Sequence, residues 1–182
     1  IYEGDKSFSL EHIRQEYPVY GTTDYRHPAI EILQKNGSRL SDFKYNGHEI
    51  IPGKPKLQGL PAIYAESEEE SMTLRIFLKD SFTGVVAELL YTIFSEYGAI
   101  ARSVCIKNTG EMPVHLLTAM SLNLDLPDKD YIWMQLSGAW ARERHVKMRT
   151  LEQGITAIDS MRGNSSHEQN PFMVLKRKNT DE

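Results

Sequence analysis

Two neighbouring stretches decide the fold of this chain: Met72-Thr73-Leu74-Arg75-Ile76-Phe77-Leu78-Lys79 and Val85-Val86-Ala87-Glu88-Leu89-Leu90-Tyr91-Thr92-Ile93-Phe94. In the first, apolar side chains alternate with mostly polar ones, and this period of two predicts a strand with one buried face. The second is apolar on both faces and rich in β-branched and aromatic residues, which favours a central strand over a helix. Together they indicate a β-sheet with a buried core.

The same pattern continues along the chain. It returns at Ile100–Lys107, Val114–Leu126 and Tyr131–Leu136, and turn residues separate these stretches. Short strands joined by such turns are typical of a sandwich or barrel, so we predict an all-β fold that forms one domain over residues 1–175. Residues 176–182 carry no apolar side chain, and we expect them to form a linker or a frayed end.

Composition and charge exclude several classes of protein. Of the 182 residues, 40% are hydrophobic, and the formal net charge of -4 argues against a general nucleic-acid binder, because such proteins need a basic surface. No apolar run reaches the roughly 18 to 20 residues of a membrane span, and we expect no signal peptide in the first residues. The single cysteine, Cys105, is expected to be buried, and its isolation favours a cytoplasmic location. Because the chain begins at Ile1 rather than Met, we expect an excised piece of a longer protein.

The proline-bounded segment 17–28 has the chemistry of a sugar site. Tyr20 and Tyr25 offer aromatic faces to the apolar C–H groups of a sugar ring, while Asp24 and Arg26 offer polar groups to its hydroxyls. Proline and glycine, rather than regular hydrogen bonding, shape such a segment. The alternative is a surface loop in which Asp24 and Arg26 pair with each other or cap a turn.

Two later stretches are also unusually polar. If residues 138–145 form one strand, Trp140 shares a face with Arg142 and Arg144. Charge on both faces of that strand indicates an edge, an interface or a ligand, and the alternative is a solvated strand. Residues 160–172 are rich in hydroxyl and amide side chains, which either line a site or satisfy backbone groups in a long loop.

The usual catalytic arrangements are missing from the sequence. The six histidines show no metal-ligand spacing, and neither a Gly-x-Ser-x-Gly motif nor a glycine-rich phosphate loop occurs. Glycoside hydrolysis needs two carboxylates on opposite sides of the scissile bond, and Asp24, Asp125 and Glu143 are only candidates to lie near such a site. We therefore predict no catalytic residue, no metal and no cofactor within this chain.

Short motifs occur in a specific order along nearly the whole chain, from about Tyr17 to Phe172. They are Tyr17-Pro18-x-Tyr20-Gly21, Asp24-Tyr25-Arg26, Gly53-Lys54-Pro55, Gly59-Leu60-Pro61-Ala62, Tyr91-Thr92-x-Phe94, Arg102-Ser103, Leu124-Asp125-Leu126-Pro127, Gly138-Ala139-Trp140-Ala141-Arg142-Glu143-Arg144-His145 and Arg162-Gly163-x-Ser165-Ser166-His167-x-x-Asn170-Pro171-Phe172. Each motif is weak by itself, but the ordered set is specific. Together they resemble the N-terminal domain of bacterial α-galactosidases of glycoside hydrolase family 36.

The resemblance implies an antiparallel β-supersandwich of galactose mutarotase-like topology, which in that family precedes a (β/α)8 catalytic barrel. It implies an enzyme that hydrolyses terminal α-galactosides such as melibiose and raffinose with retention, with two barrel aspartates as nucleophile and acid/base. No Trp-Asp motif of the barrel occurs here, so we expect this chain to be inactive by itself. A domain separated from its barrel is also expected to expose an apolar patch.

The resemblance also implies partners and site residues. The family forms homotetramers in which the N-terminal domain of one subunit reaches a neighbour's sugar pocket. Asp24 is then expected to hydrogen-bond sugar hydroxyls, and Tyr25 and Trp140 to narrow the pocket with apolar faces. Relatives commonly carry Gly-Asp-Phe where this chain has Gly21-Thr22-Thr23-Asp24-Tyr25, which leaves the preferred galactoside open.

Three alternatives stay open from sequence. One is a free-standing galactose-binding module, and another is the N-terminal domain of a raffinose- or stachyose-type transglycosidase. The third is a mutarotase-like epimerase, which needs a carboxylate base and a histidine acid. The spacing of Asp125, Glu143 and His145 does not show such a pair, and topology by itself is weak support for function.

Overall fold

The computed structural model describes residues 13–21, 25–59, 62–165 and 167–179. The chain divides into two compact units, residues 1–125 (unit 1) and residues 126–182 (unit 2), and each is described on its own. Both units are built from antiparallel sheets, so the predicted all-β antiparallel fold is confirmed. Among the described residues, no helix has the length and hydropathy of a membrane span.

Unit 1 contains two sheets among its described residues. The strands are β1 (Ile30–Leu33), β2 (Phe43–Pro52), β3 (Met72–Asp80), β4 (Val85–Phe94), β5 (Ala99–Asn108) and β6 (His115–Ala119), with 3-10 helices at Glu68–Glu70 and Ser95–Tyr97. Strands β2, β3, β4 and β5 form a four-stranded sheet in that order, and β1 pairs with β6. Strands β3 and β5 confirm the predicted period-two strands, and β4, which lies between them, confirms the predicted central strand.

The predicted strand Val114–Leu126 is wrong in its extent, because β6 ends at Ala119. Beyond that point two polar side chains replace a strand partner. The Asn123 side-chain amide donates to the carbonyl of Gln15, and the Asp125 carboxylate accepts the Gln15 N–H. These side-chain bonds satisfy backbone groups that a longer ladder would otherwise pair.

The core of unit 1 forms where one face of the four-stranded sheet packs against β1. Leu89 of β4 lies opposite Ile76 on one side and Val104 on the other, so the three side chains share this face. Leu89 is fully buried, as are Ile30 and Ile32 of β1. Alternation in β3 therefore directs its apolar side chains into the core. Cys105 of β5 is only partly buried, where the sequence predicted burial.

The opposite face of the four-stranded sheet carries an ion network across all four strands. Arg75 bonds to Glu49 at 2.6 Å and to the buried Glu88 at 2.7 Å, and Lys107 also bonds to Glu88. Burial by itself would raise the pKa of Glu88, but the bonds from Lys107 and Arg75 outweigh it and hold the pKa below its ordinary value. Phe77 contributes to this face by packing under the Arg75 guanidinium, 5.0 Å from its ring centre.

Part of the core-facing side of this sheet is uncovered. Met72, Ile93 and Ile100 lie opposite one another on β3, β4 and β5, and 48 to 67% of each residue is exposed. Ile50 of β2, opposite Leu74, extends the same apolar surface. The expected exposed apolar patch is present here, and the acidic 3-10 helix Glu68–Glu70 borders it.

Unit 2 is a three-stranded sheet of β7 (Tyr131–Ala139), β8 (Arg142–Thr150) and β9 (Gln169–Arg177), with β7 in the centre. The domain end predicted at residue 175 stays a prediction, and β9 runs two residues past it. Among the described residues of unit 2, Gln135 is the one that is buried. Its side-chain oxygen accepts bonds from Trp133 and Arg149, which links β7 to β8.

The interpretation of residues 138–145 as one strand is wrong. The chain reverses at Trp140 and Ala141, so Trp140 lies in the hairpin turn while Arg142 and Arg144 belong to β8. Gly138 is required beside this turn, because a Cβ there would lie 2.3 Å from the carbonyl oxygen of Arg142. Close approach of the two strands therefore explains the glycine.

Candidate functional site

The segment that carries the predicted sugar residues rises from a buried stem. Val19 forms a parallel bridge with Ile30, and the Pro18 carbonyl accepts the N–H of Ala29 at 2.8 Å. The Tyr17 hydroxyl donates to the carbonyl of Met120 at 2.9 Å. These stem residues are largely buried, and they form a packed base for the described residues Tyr20, Gly21 and Tyr25, which we call the projecting segment. Such an arrangement is typical of functional loops.

One side of the projecting segment is shaped by Gly21. Its φ of +95° is a conformation that residues with a side chain rarely adopt, and a Cβ there would lie 2.2 Å from Leu40. The preceding residue, Tyr20, lies under the Arg39 guanidinium at 5.0 Å from the ring centre. Backbone geometry and this cation–π contact together set the direction in which the segment leaves its base.

The other side of the segment is held by Asp125. Its Oδ2 atom accepts the Gln15 N–H at 2.8 Å and also bonds to the Arg26 guanidinium. Burial by itself would raise the pKa of Asp125, but the Gln15 N–H, Arg26 and Asn123 outweigh it and hold the pKa below its ordinary value. Arg26 also donates to the carbonyl of Ile13 at 2.7 Å. We call this group, Asp125 with Gln15, Arg26, Ile13 and Asn123, the Asp125 clamp.

A buried arginine lies beside this clamp. Arg102, with 6% of its side chain exposed, stacks on the Tyr91 ring at 4.1 Å, and its Nη2 atom lies 4.0 Å from the Glu16 carboxylate. Burial lowers the pKa of Arg102, and burial also raises the pKa of Glu16. The Nε and Nη2 atoms of Arg102 have no hydrogen-bond partner among the described residues.

The structure places the three predicted sugar residues differently. Tyr25 is 84% exposed on unit 1, and Trp140 is 80% exposed in the hairpin turn of unit 2. The pairing of Asp24 with Arg26 stays a prediction, because Asp24 lies outside the described residues. Arg26 bonds to Asp125, which the sequence offered only as a candidate acid. Nothing in the spacing signalled this partner, 99 residues away.

The other polar stretches make local bonds. Glu143 accepts the N–H of Ala141 at 2.8 Å, and so serves the hairpin turn. In residues 160–172, Arg162 pairs with Glu168 at 2.8 Å and Ser160 donates to the carbonyl of Asn164. These contacts support the structural interpretation of the stretch. Within the described parts of the chain, no group of three or more histidine, cysteine or acidic residues is arranged to hold a metal ion.

The fold and the projecting segment together define an all-β domain that presents exposed aromatic side chains, as carbohydrate-binding surfaces do. Residues 2–182 match the family model described as the glycosyl hydrolase family 36 N-terminal domain. The chain therefore belongs to glycoside hydrolase family 36, as its N-terminal domain.

Curated relatives agree with this assignment. The chain is 47% identical over 178 residues to alpha-galactosidase AgaA of Geobacillus stearothermophilus, covering 98% of this chain and 24% of the relative. It is 38% identical over 178 residues to alpha-galactosidase Mel36A of Lactobacillus acidophilus, with the same coverage of 98% and 24%. The chain thus spans about a quarter of the length of these relatives.

Solved structures show the same likeness. The crystal structure of the Geobacillus enzyme AgaA matches with a TM-score of 0.93 at 46% identity, covering 97% of this chain and 25% of that one. Variants of that enzyme, in complex with stachyose and with raffinose, also match with TM-scores of 0.93 at 46% identity, over 98% of this chain and 25% of theirs. The recognised family and fold are confirmed.

Proposed function

We propose that this chain is the non-catalytic N-terminal domain of an α-galactosidase that hydrolyses terminal α-galactosides such as melibiose and raffinose with retention. The observation that carries the proposal is the match of nearly the whole chain to enzymes named α-galactosidase, at 38 to 47% identity. Related structures hold stachyose or raffinose, which are α-galactosides. Retaining hydrolysis needs two carboxylates about 5 Å apart, and we assign both to a catalytic domain outside this chain.

We assign this domain the completion of a neighbouring subunit's sugar pocket and a part in forming a homotetramer. Tyr25 and Trp140 support this role, because each presents most of an aromatic side chain to solvent. An aromatic face packs against the apolar C–H groups of galactose, and Asp24 supplies a hydrogen-bond acceptor for its hydroxyls. We further propose a cytoplasmic location, on the basis of the single cysteine. Neither a nucleic acid nor a membrane is part of the proposal.

Complementation between two inactive variants tests pocket completion in trans. In the full-length enzyme, one variant loses its catalytic nucleophile and the other carries Asp24→Ala with Tyr25→Ala. After mixing and reassembly, we expect activity on raffinose to return, because the intact segment of the first subunit completes the pocket of the second. Tyr64→Ala, which removes an exposed tyrosine elsewhere in unit 1, should leave activity unchanged. If mixing restores nothing while mixed oligomers form, pocket completion in trans is wrong.

Two measurements on the chain of residues 1–182 separate the alternatives. We expect no turnover of a nitrophenyl α-galactoside, and measurable hydrolysis would contradict the assignment of both carboxylates to another domain. Calorimetry with galactose and melibiose tests the free-standing binding module. Millimolar or tighter binding by this chain in isolation would favour that module over a domain that acts within a larger enzyme.

A further inference from the structure

Three separate parts of unit 1 meet at one carboxylate. The Gln15 backbone precedes the projecting segment, Arg26 follows it, and Asp125 lies after β6, 110 and 99 residues away respectively. The Asn123 side chain adds a bond to the Gln15 carbonyl at 2.7 Å. The Asp125 clamp therefore bonds to the chain at Gln15, before Tyr20, and at Arg26, directly after Tyr25.

We propose that Arg26 and Asp125 are positioning residues for the sugar pocket, because their ion pair holds Tyr25 in its projecting position. This inference rests on the proposed function, in which Tyr25 contacts the sugar. Arg26 is joined directly to Tyr25 along the chain, so fixing its guanidinium also restrains the backbone of Tyr25. An exposed side chain on such a base needs less ordering when sugar binds.

The contacts of Arg26 predict that a neutral side chain at this position would weaken the restraint on Tyr25. One nitrogen of its guanidinium bonds to Asp125, and another donates to the Ile13 carbonyl at 2.7 Å. The side chains of Arg26 and Asp125 are only 21% and 24% exposed, which shields the pair from solvent and salt. Lysine keeps the charge but not the fork of donors, so it can restore only part of the restraint.

Hydrogen exchange of the full-length enzyme tests the clamp directly. We expect Asp125→Asn to speed exchange about tenfold or more in residues 13–27 and to leave strands β3 and β4 unchanged. Asp128→Asn is the matched control, because Asp128 also pairs with an arginine, Arg177, at 2.6 Å. Unchanged exchange in residues 13–27 would show that the Asp125 clamp does not restrain this part of the chain. Arg26→Gln provides a second test from the other partner if Asp125→Asn does not fold.

Kinetics test the link to the pocket. We expect Asp125→Asn and Arg26→Gln to raise KM for raffinose about five- to tenfold and to change kcat by no more than about twofold. The reason is that the proposed contact of Tyr25 with the sugar stabilises the bound substrate and the transition state alike. Arg26→Lys should recover part of the affinity. In a Tyr25→Ala background, Asp125→Asn should have no further effect on KM, because its action passes through Tyr25.

The outcomes separate the two proposals. If Tyr25→Ala raises KM but Asp125→Asn does not, the positioning role is wrong and the proposed function stands. If Tyr25→Ala leaves KM unchanged, the proposed contact of Tyr25 with sugar is wrong, and the positioning role falls with it. If the two substitutions raise KM additively, Asp125 does not act through Tyr25, and the inference is overturned.

Discussion

Replacing Leu89 by alanine tests whether the two compact units are also units of stability. Leu89 is fully buried at the centre of the unit 1 core, between Ile76 and Val104 on the neighbouring strands. Deletion of a buried leucine side chain costs the transfer free energy of its lost methyl groups and a further amount for the cavity left behind. For a site with no exposure we expect unfolding to become easier by about 3 kcal/mol.

The assay uses two probes in urea, because both tryptophans, Trp133 and Trp140, lie in unit 2. Circular dichroism follows the strands of both units, whereas tryptophan fluorescence follows unit 2. With an m-value of about 2 kcal/mol per molar urea, 3 kcal/mol moves the unit 1 transition by about 1.5 M. We expect the fluorescence transition to keep its midpoint. The control is Leu116→Ala in β6, where the residue is 48% exposed and the expected change is within about 0.5 kcal/mol.

Two results would refute this reasoning. If the circular-dichroism midpoint moves by less than the Leu116→Ala control, Leu89 is not packed in a core. If both probes shift by the same amount, the chain unfolds as one cooperative domain, as the sequence predicted for residues 1–175. Units 1 and 2 would then be compact in structure but would not unfold independently.

Further predictions concern charge and backbone conformation. The pKa of Asp125 is lowered, so its contribution to the free energy of unfolding is present above the ordinary aspartate pKa of about 3.9 and is lost as pH falls through the lowered value. Urea titrations from pH 6 to pH 2 should show a smaller loss in Asp125→Asn than in the unsubstituted chain, because Glu88, whose pKa is also lowered, still loses its contribution. The pKa of Glu16 is raised by burial, so its contribution to the free energy of unfolding changes with pH in the opposite direction. This contribution is present at low pH and is lost as pH rises through the raised pKa. Glu16→Gln should abolish the part of the loss that comes from Glu16. Gly21→Ala should destabilise unit 1 by about 1 to 3 kcal/mol and by more than Gly37→Ala, because both positions have positive φ but a Cβ at residue 37 contacts nothing within 4 Å. Equal thermal-melting shifts for the two alanine variants would contradict a role for Leu40 in shaping the segment.

The strands with strong period two were predictable from sequence. Strand β3 directs one apolar face into the unit 1 core, so its side chains follow the alternation, whereas β4 is buried on both faces, as its apolar composition predicted. The hairpin at Trp140 was not predictable in the same way. Its reversal uses a positive φ of 61° at Ala141, where hairpins usually carry glycine or asparagine, so no turn signal interrupts the polar run. The sequence patterns of β7 and β8 therefore run into each other, and residues 138–145 resemble one strand.

The sequence predicts which residue types form the candidate site, but it does not predict the contacts that support them. Aromatic and polar residue types around Gly21 indicate sugar binding because the chemistry is local, and the exposure of Tyr25 is consistent with that function. The bond between Arg26 and Asp125 depends on tertiary structure, because 99 residues separate the two along the chain. Carboxylates that lie closer in sequence carry the same charge, so charge does not identify Asp125. Only the fold shows that Asp125 bonds to Arg26.

Stability and the proposed function make different demands on the described residues between Tyr17 and Arg26. A segment that contacts a sugar on another subunit has to leave its aromatic side chain exposed, and so gains no hydrophobic stabilisation from it. Rigidity must then come from its two ends, where Tyr17 and Val19 are buried and Arg26 is bonded to Asp125. Each bond at the base reduces the conformational entropy that binding would otherwise remove at the tip. Substitutions at the base are therefore expected to weaken sugar binding without touching the sugar, whereas substitutions at Tyr25 are expected to change affinity with little effect on folding.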